Sequence, residues 1–336
     1  MDYIINFMFK RESKINSLAI LFSLIFILIS IPQVSDAQVT REQLGVELLN
    51  DFVLEPAKNE VLLNPGESSV EYLSIINRKA VNVDFQIQIE DIVGSDDIAE
   101  QVKLLGDEKG PYSLKDFLIP EITEFTLEPG EKITIPVRVE LSQDAEPRGY
   151  YGALIVSSRG DDSRVDSNGE VSGKTEIITR LGSIFLVRIN GDVIEKSELV
   201  DFKTIGPKKY VYFSNPEGFE VAIKNKGNVH LVHYGEIKIK NLFGKEVTSL
   251  PINAFFSLPD STRYRELSWK DGFAFGFYRA ELALYQGFEN EDGFLDSNIW
   301  FFVLPWKLTL GLLLLAFVIF VVIRYFKKNF KLERKK

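Results

Sequence analysis

The sequence has no cysteine and only two histidines among its 336 residues. Without a thiol it can build neither a disulfide framework, nor a thiolate metal site, nor a cysteine nucleophile. His230 and His233 are the only imidazoles, so mechanisms that need several are excluded. Positive charge is in short supply as well, with 39 Lys and Arg against 48 Asp and Glu and a formal charge of -9. An acidic chain is a poor electrostatic partner for nucleic acid, and none is expected as a ligand. G-x-S-x-G, S-x-x-K, H-E-x-x-H and a phosphate-cradling glycine loop are all missing. No catalytic residue, no cofactor and no metal site is predicted, and the chain reads as a non-enzyme.

Long apolar runs are present, but only at the two ends. Lys10, Arg11 and Lys14 precede the run Ile15 to Ile31, which is followed by Pro32 and then Ser35-Asp36-Ala37. A basic start, an apolar stretch and small residues at a cleavage point make a secretory signal over 1–37, with an uncleaved anchor as the alternative. At the other end Leu308 to Ile323 carries no charge. At about 1.5 Å per residue it covers about 24 Å, and including Leu304 to Lys307 and Tyr325-Phe326 brings it to bilayer thickness. A single transmembrane helix is therefore predicted over 304–326. The basic tail 327–336 and Arg324 place the C-terminus in the cytoplasm. Setting aside Asp2, Glu12, Asp36, Glu333 and the ten basic residues of the two ends leaves 44 acids against 29 bases, so the exported portion is near -15. These features describe a single-pass cell-membrane protein with its bulk outside.

Between the ends, strand patterns dominate. Val70 to Ile76, Val83 to Ile89, Ile133 to Leu141, Ile177 to Ile189 and Tyr278 to Leu284 alternate β-branched or aromatic residues with polar ones. Turn residues such as Asn64-Pro65-Gly66, Glu128-Pro129-Gly130 and Asn225-Lys226-Gly227-Asn228 separate them. Short strands at this spacing, with no crossover helices, indicate antiparallel β-sandwiches.

Two internal matches suggest that the sandwich occurs twice. Ile76-Asn77-Arg78-Lys79-Ala80-Val81 parallels Lys224-Asn225-Lys226-Gly227-Asn228-Val229, and Gly149-Tyr150-Tyr151-Gly152-Ala153 parallels Gly276-Phe277-Tyr278-Arg279-Ala280. The interval from Asn77 to Gly149 is the longer of the two, and the excess falls in an insertion near 94–120, where alternation stops and Ser113-x-x-Asp116 suggests a short capped helix. The expected fold is all-β: two tandem Ig-like antiparallel β-sandwiches, at 38–191 and 192–303, plus one C-terminal transmembrane α-helix.

Asn64-Pro65-Gly66-Glu67 before Tyr72-Leu73-Ser74-Ile75-Ile76-Asn77, then Leu127-Glu128-Pro129-Gly130-Glu131, then the Gly149-Tyr150-Tyr151 strand, resemble the WxL-interacting proteins of bacterial cell surfaces. Signal, two Ig-like domains, one span and a basic tail follow the same architecture. The resemblance implies an exported, membrane-anchored binding protein, with peptidoglycan or another exported protein as partner.

The remaining chemistry is weaker. His230 and His233 are three apart, so on a strand they face opposite sides, and a zinc site would need Tyr234 or Glu236 as a third ligand. Residues 160–170 concentrate Asp161, Asp162, Asp166, Asn168 and Glu170, but Arg164 interrupts a calcium-type series, and a hairpin loop accounts for them. Paired carboxylates such as Asp96-Asp97 show no sign of converging across a cleft. Tyr112, Phe117 and Leu118, in the insertion, are the aromatic and aliphatic group outside the strand pattern. They are the candidate partner contacts, the alternative being that they cap the sandwich. The leading expectation is a surface protein that binds a wall polymer or an exported protein, the second an exported assembly factor or chaperone that lends a strand to a client, and the third a membrane-bound hydrolase using carboxylates.

Overall fold

A computed structural model describes residues 38–165, 171–206, 209–269, 275–287 and 293–329. The predicted signal 1–37, the tail residues 330–336 and, from the acidic stretch, Asp166, Asn168 and Glu170 lie outside them.

The first sandwich is built from β1 (Thr40–Gln43), β2 (Phe52–Glu55), β3 (Lys58–Leu63), β4 (Ser68–Asn77), β5 (Val83–Gly94), β6 (Val102–Leu104), β7 (Leu118–Pro120), β8 (Glu124–Leu127), β9 (Glu131–Glu140), β10 (Gly149–Val165) and β11 (Val171–Ile189). One sheet runs β1-β9-β4-β2 with β7 on β9, and the other runs β3-β11-β10-β5-β6 with β8 on β5. The chain changes sheets at Glu55–Pro56, a cis peptide. Alternation sends Leu73, Ile75, Ile133 and Ile135 from one sheet against Phe85, Leu154, Val156, Phe185 and Val187 from the other. All pairings in these sheets are antiparallel except β3 with the end of β11, Lys58–Leu63 against Ile184–Ile189.

The second sandwich contains β12 (Ser197–Thr204), β13 (Val211–Tyr212), β14 (Gly218–Asn225), β15 (Leu231–Asn241), β16 (Glu246–Ser257), β17 (Thr262–Ser268), β18 (Gly276–Gly287) and β19 (Gly293–Val303). Its sheets are β12-β14-β17 and β13-β19-β18-β15-β16. Phe219, Val221 and Ile223 pack across to Ile237, Ile239, Leu282, Leu284 and Phe301, with Trp269 beside them. With no cysteine in the chain, aromatic packing ties this core together: Phe219 and Trp269 stack at 6.3 Å and Tyr278 and Phe301 at 5.8 Å.

The sequence repeat is a structural one. Asn77 and Asn225 end β4 and β14, and both are fully buried. Asn77 donates its amide to the carbonyls of Val81, Leu127 and Glu128 and accepts from the Lys79 amide. Asn225 donates to Val229 and Ser257 and accepts from Gly227. The other match needs correction by one residue. Tyr150 and Tyr278 are the inward-facing partners, each bonding the backbone just upstream through its hydroxyl, at Glu146 and Phe275. Tyr151 points instead to a third core, and Phe277 points outward. Because strand side chains alternate, a one-residue slip in the comparison exchanges the two faces.

That third core joins the sandwiches. Ile92, Tyr151, Ala153, Ile155 and Leu186 of the first meet Leu258 of the second, with Tyr112 and Phe256 partly buried around them. The Gly149 amide donates to Asn228 O at 2.9 Å, and the Thr262 amide to Asp96 Oδ1 at 2.6 Å. Arg188 and Glu195 form a buried ion pair at the same junction.

After β19, Leu304 and Pro305 lead into α1 (Trp306–Asn329). Its segment Thr309–Lys328 is long and apolar enough to cross a membrane by length and composition. Lys327 and Lys328 lie in the last turn, where basic residues suit the helix dipole.

Candidate functional site

Besides the pairing of β6 and β7, two adjacent carboxylates of β5 hold the insertion, Glu90 accepting from the Gly106 amide at 3.0 Å and Asp91 from three others. Asp91, fully buried on β5, accepts from the amides of Gly110, Leu114 and Lys115 at 2.9–3.0 Å. The short helix is a single 3-10 turn, Lys115–Phe117, with no side-chain cap at its own N-terminus. Asp91 does the work the sequence assigned to Ser113. This arrangement buries one of the three candidate contacts, Leu118, and leaves Tyr112 and Phe117 partly exposed. Leu118 is 2% exposed in the first core, Phe117 packs edge-on to Tyr150 at 6.3 Å, and Tyr112 lies on Tyr151 at 5.9 Å in the junction. Leu118 belongs to the first core, while Phe117 and Tyr112 each keep one side on a tyrosine and one side toward solvent.

The histidines diverge. His230 sits edge-on to Tyr151 at 5.6 Å, and His233 faces Ser257 Oγ at 2.9 Å and the ring of Phe255. Burial lowers both to about 4, so they are neutral at ordinary pH. Among the described residues no three His, Asp or Glu side chains are grouped to hold a metal ion.

The feature that stands out is the β10–β11 hairpin. Residues 160–165, read from composition as loop, continue β10, because they pair with β11 in unbroken register from Gly149↔Arg188 to Ser163↔Lys174. On their outer sides the two strands lose their neighbours early. β5 accompanies β10 only as far as Arg159, and β3 accompanies β11 only over Ile184–Ile189. Among the described residues nothing pairs with the open side of 171–183. At about 3.3 Å per residue this is roughly 40 Å of free strand edge.

The direction of its amides follows from the bonds that are made. The Ile184 amide donates outward to Ala57 O, and the Ile189 amide donates back to Arg148 O. In an antiparallel ladder alternate residues point to alternate sides, so the amides of Ile178, Arg180 and Gly182 face the open side. Ile178 and Leu181 are exposed beside them, and Arg180 is held by Glu90 at 2.7 Å. Sequence reasoning placed a strand here but had no means of seeing that one of its edges is unpaired.

No family model matches this sequence, and no curated protein does. Among solved structures the chain is similar to the class 5 fimbriae chaperone CfaA, at 11% identity over 74% of this chain and 98% of that one, with a TM-score of 0.40. It is also similar to the CsuC–CsuE chaperone–tip adhesion subunit pre-assembly complex of Acinetobacter baumannii Csu pili, at 11% identity over 75% and 99% with a TM-score of 0.34. The Escherichia coli chaperone DraB matches at 15% identity over 75% and 96%, with a TM-score of 0.34.

Proposed function

We propose that this chain is a non-enzymatic, exported and membrane-anchored protein that holds another exported protein by adding that protein's strand to the free edge of β11. The observation that carries the reading is the edge itself. Proteins shield long sheet edges with charge, proline, bulges or a covering element. The segment 171–183 carries Lys174, Glu176 and Arg180 but contains no proline, has five β-branched residues, and turns toward its open side amides that no described residue pairs with. Such an edge accepts an extended segment through main-chain hydrogen bonds, with side chains such as Ile178 and Leu181 reading the partner's sequence. The signal at 1–37 exports the chain, α1 anchors it, and the basic tail stays inside. This is the assembly-factor reading. Membership of the WxL-interacting family is compatible with it, since that resemblance too implies an exported protein partner, with peptidoglycan as the competing ligand.

The test uses the full-length protein in its native membrane with a photo-crosslinking residue at Leu181. An exported protein is expected in the adduct, and Ile178→Pro should abolish it. That substitution deletes one outward amide, spares the ladder to β10 and should leave the melting temperature unchanged. Undiminished capture by the proline variant would refute strand addition, and adducts to peptidoglycan fragments would point to the wall polymer.

A further inference from the structure

The base of the second sandwich carries a group of exposed apolar side chains beside the start of α1. The turn between β15 and β16 presents Leu242 at 60% and Phe243 at 91% exposure. Asn241 holds this turn rigid. Its side-chain oxygen accepts from the amides of Phe243 and Lys245, and its backbone carbonyl accepts from Gly244. The left-handed φ that closes the turn falls on Gly244, at 77°. A rigid turn that displays an aromatic side chain to water gains nothing for the fold.

The strand register fixes where the turn lies. Asn241 pairs with Tyr278, and Gly276 pairs with Val303, so Phe243 reaches the level of the last residue of β19. Only Leu304 and Pro305 separate that residue from α1. The connection is bonded to the sandwich, with the Leu304 amide donating to Tyr212 O and the Trp306 amide to Phe213 O. Tyr210, Phe213, Phe275 and Trp306 are more than half exposed around the same end. Lys245 and Lys307 lie among them, and the Lys307 amine stands over the Trp306 ring. Aromatic rings with interspersed lysines are the composition of a bilayer's headgroup layer. The apolar segment begins at Thr309, about 5 Å along the helix from Trp306.

We infer that the base of the second sandwich rests in the headgroup layer of the lipid bilayer, with the Leu242-Phe243 turn inserted as a second contact beside α1. This rests on the reading of α1 as a membrane span. Two contacts fix the tilt of the sandwiches over the membrane more firmly than the bonded connection to α1 does alone.

The chain's lack of cysteine makes the test direct. Full-length protein carries a single environment-sensitive fluorophore at Lys245→Cys, at Leu315→Cys within α1, or at Ala80→Cys in the first sandwich. Each is reconstituted in phosphatidylcholine vesicles containing a minority of phosphatidylglycerol and lipids with nitroxides at shallow or deep positions. The label at 245 should be quenched by shallow nitroxides at least two-fold more than the label at 80. This quenching should disappear when Leu242→Ser and Phe243→Ser are added. Quenching at 315 by deep nitroxides with none at 245 would overturn the inference while leaving the anchor standing. No quenching at 315 would remove the anchor and the inference together.

Discussion

Asn77 and Asn225 occupy the same place in the two sandwiches, each bonding the carbonyl four residues ahead, the amide two residues ahead and a carbonyl on a distant segment. A fully buried side chain with these bonds holds its turn without help from solvent. Replacing either by Ala leaves buried carbonyls and an amide unpaired and should cost about 2–4 kcal/mol. Asn→Asp should be no better, since a carboxylate would face carbonyl oxygens. Thermal unfolding of the four variants checks this. A loss under about 0.5 kcal/mol at both sites would show that the clamps are ornamental.

Asp91 ties the insertion to β5 by three amide bonds. Asp91→Ala should loosen 105–117, the part between the paired strands β6 and β7, before the sandwich melts. Limited proteolysis should then cut near Gly106 or Gly110 in the variant at conditions where wild type is intact. Equal resistance of the two proteins would mean that Leu114 and Leu118 hold the segment without the carboxylate.

Gly94 lies so close to the second sandwich that a Cβ there would stand 2.2 Å from Ser261 Cβ and Oγ. Gly94→Ala must push Ser261 and the backbone behind it away, parting the junction. Amide exchange at Leu258 and Thr262 should quicken, and the Thr262 to Asp96 bond should weaken. An unchanged exchange pattern would show that the junction is soft enough to absorb a methyl group.

His230 and His233 couple stability to acid. In the unfolded chain they protonate near 6.5, whereas burial holds the folded pKa near 4. Glu60 opposes that shift at His230, while Arg188 and Lys58 add to it. The unfolded state therefore binds more protons between these values, so stability is full above about pH 6.5 and falls as pH drops toward 4. Between pH 7 and 5 each histidine should cost about 2 kcal/mol. Urea midpoints at the two pH values, compared with His233→Gln, check the sign and the size. A variant with the same pH slope as wild type would exclude His233 as a source.

The main strands and the sandwich class are legible because alternation is local, and the Asn turns are legible because the clamp demands one side chain at one place. The Gly-Tyr match was read one residue out of step, since identity of residues does not reveal which face a strand buries. Residues 160–165 were misread for a related reason. Their Asp, Gly and Ser content looks like loop, but pairing between two long arms of one hairpin overrides composition. Asp91 gave no signal, because its three donors lie 19 to 24 residues ahead along the chain. Whether a strand has a neighbour is a property of the assembled sheet, so the open side of β11 was beyond any reading of the sequence.

The shared third core also governs how the protein comes apart. Tyr151, Leu186 and Ile92 complete their burial against Leu258 and Phe256 of the other sandwich. Cutting the chain within 190–196 would leave each half with an uncovered apolar face, prone to self-association. The two sandwiches should therefore melt as one cooperative unit, despite having separate sheets and separate principal cores.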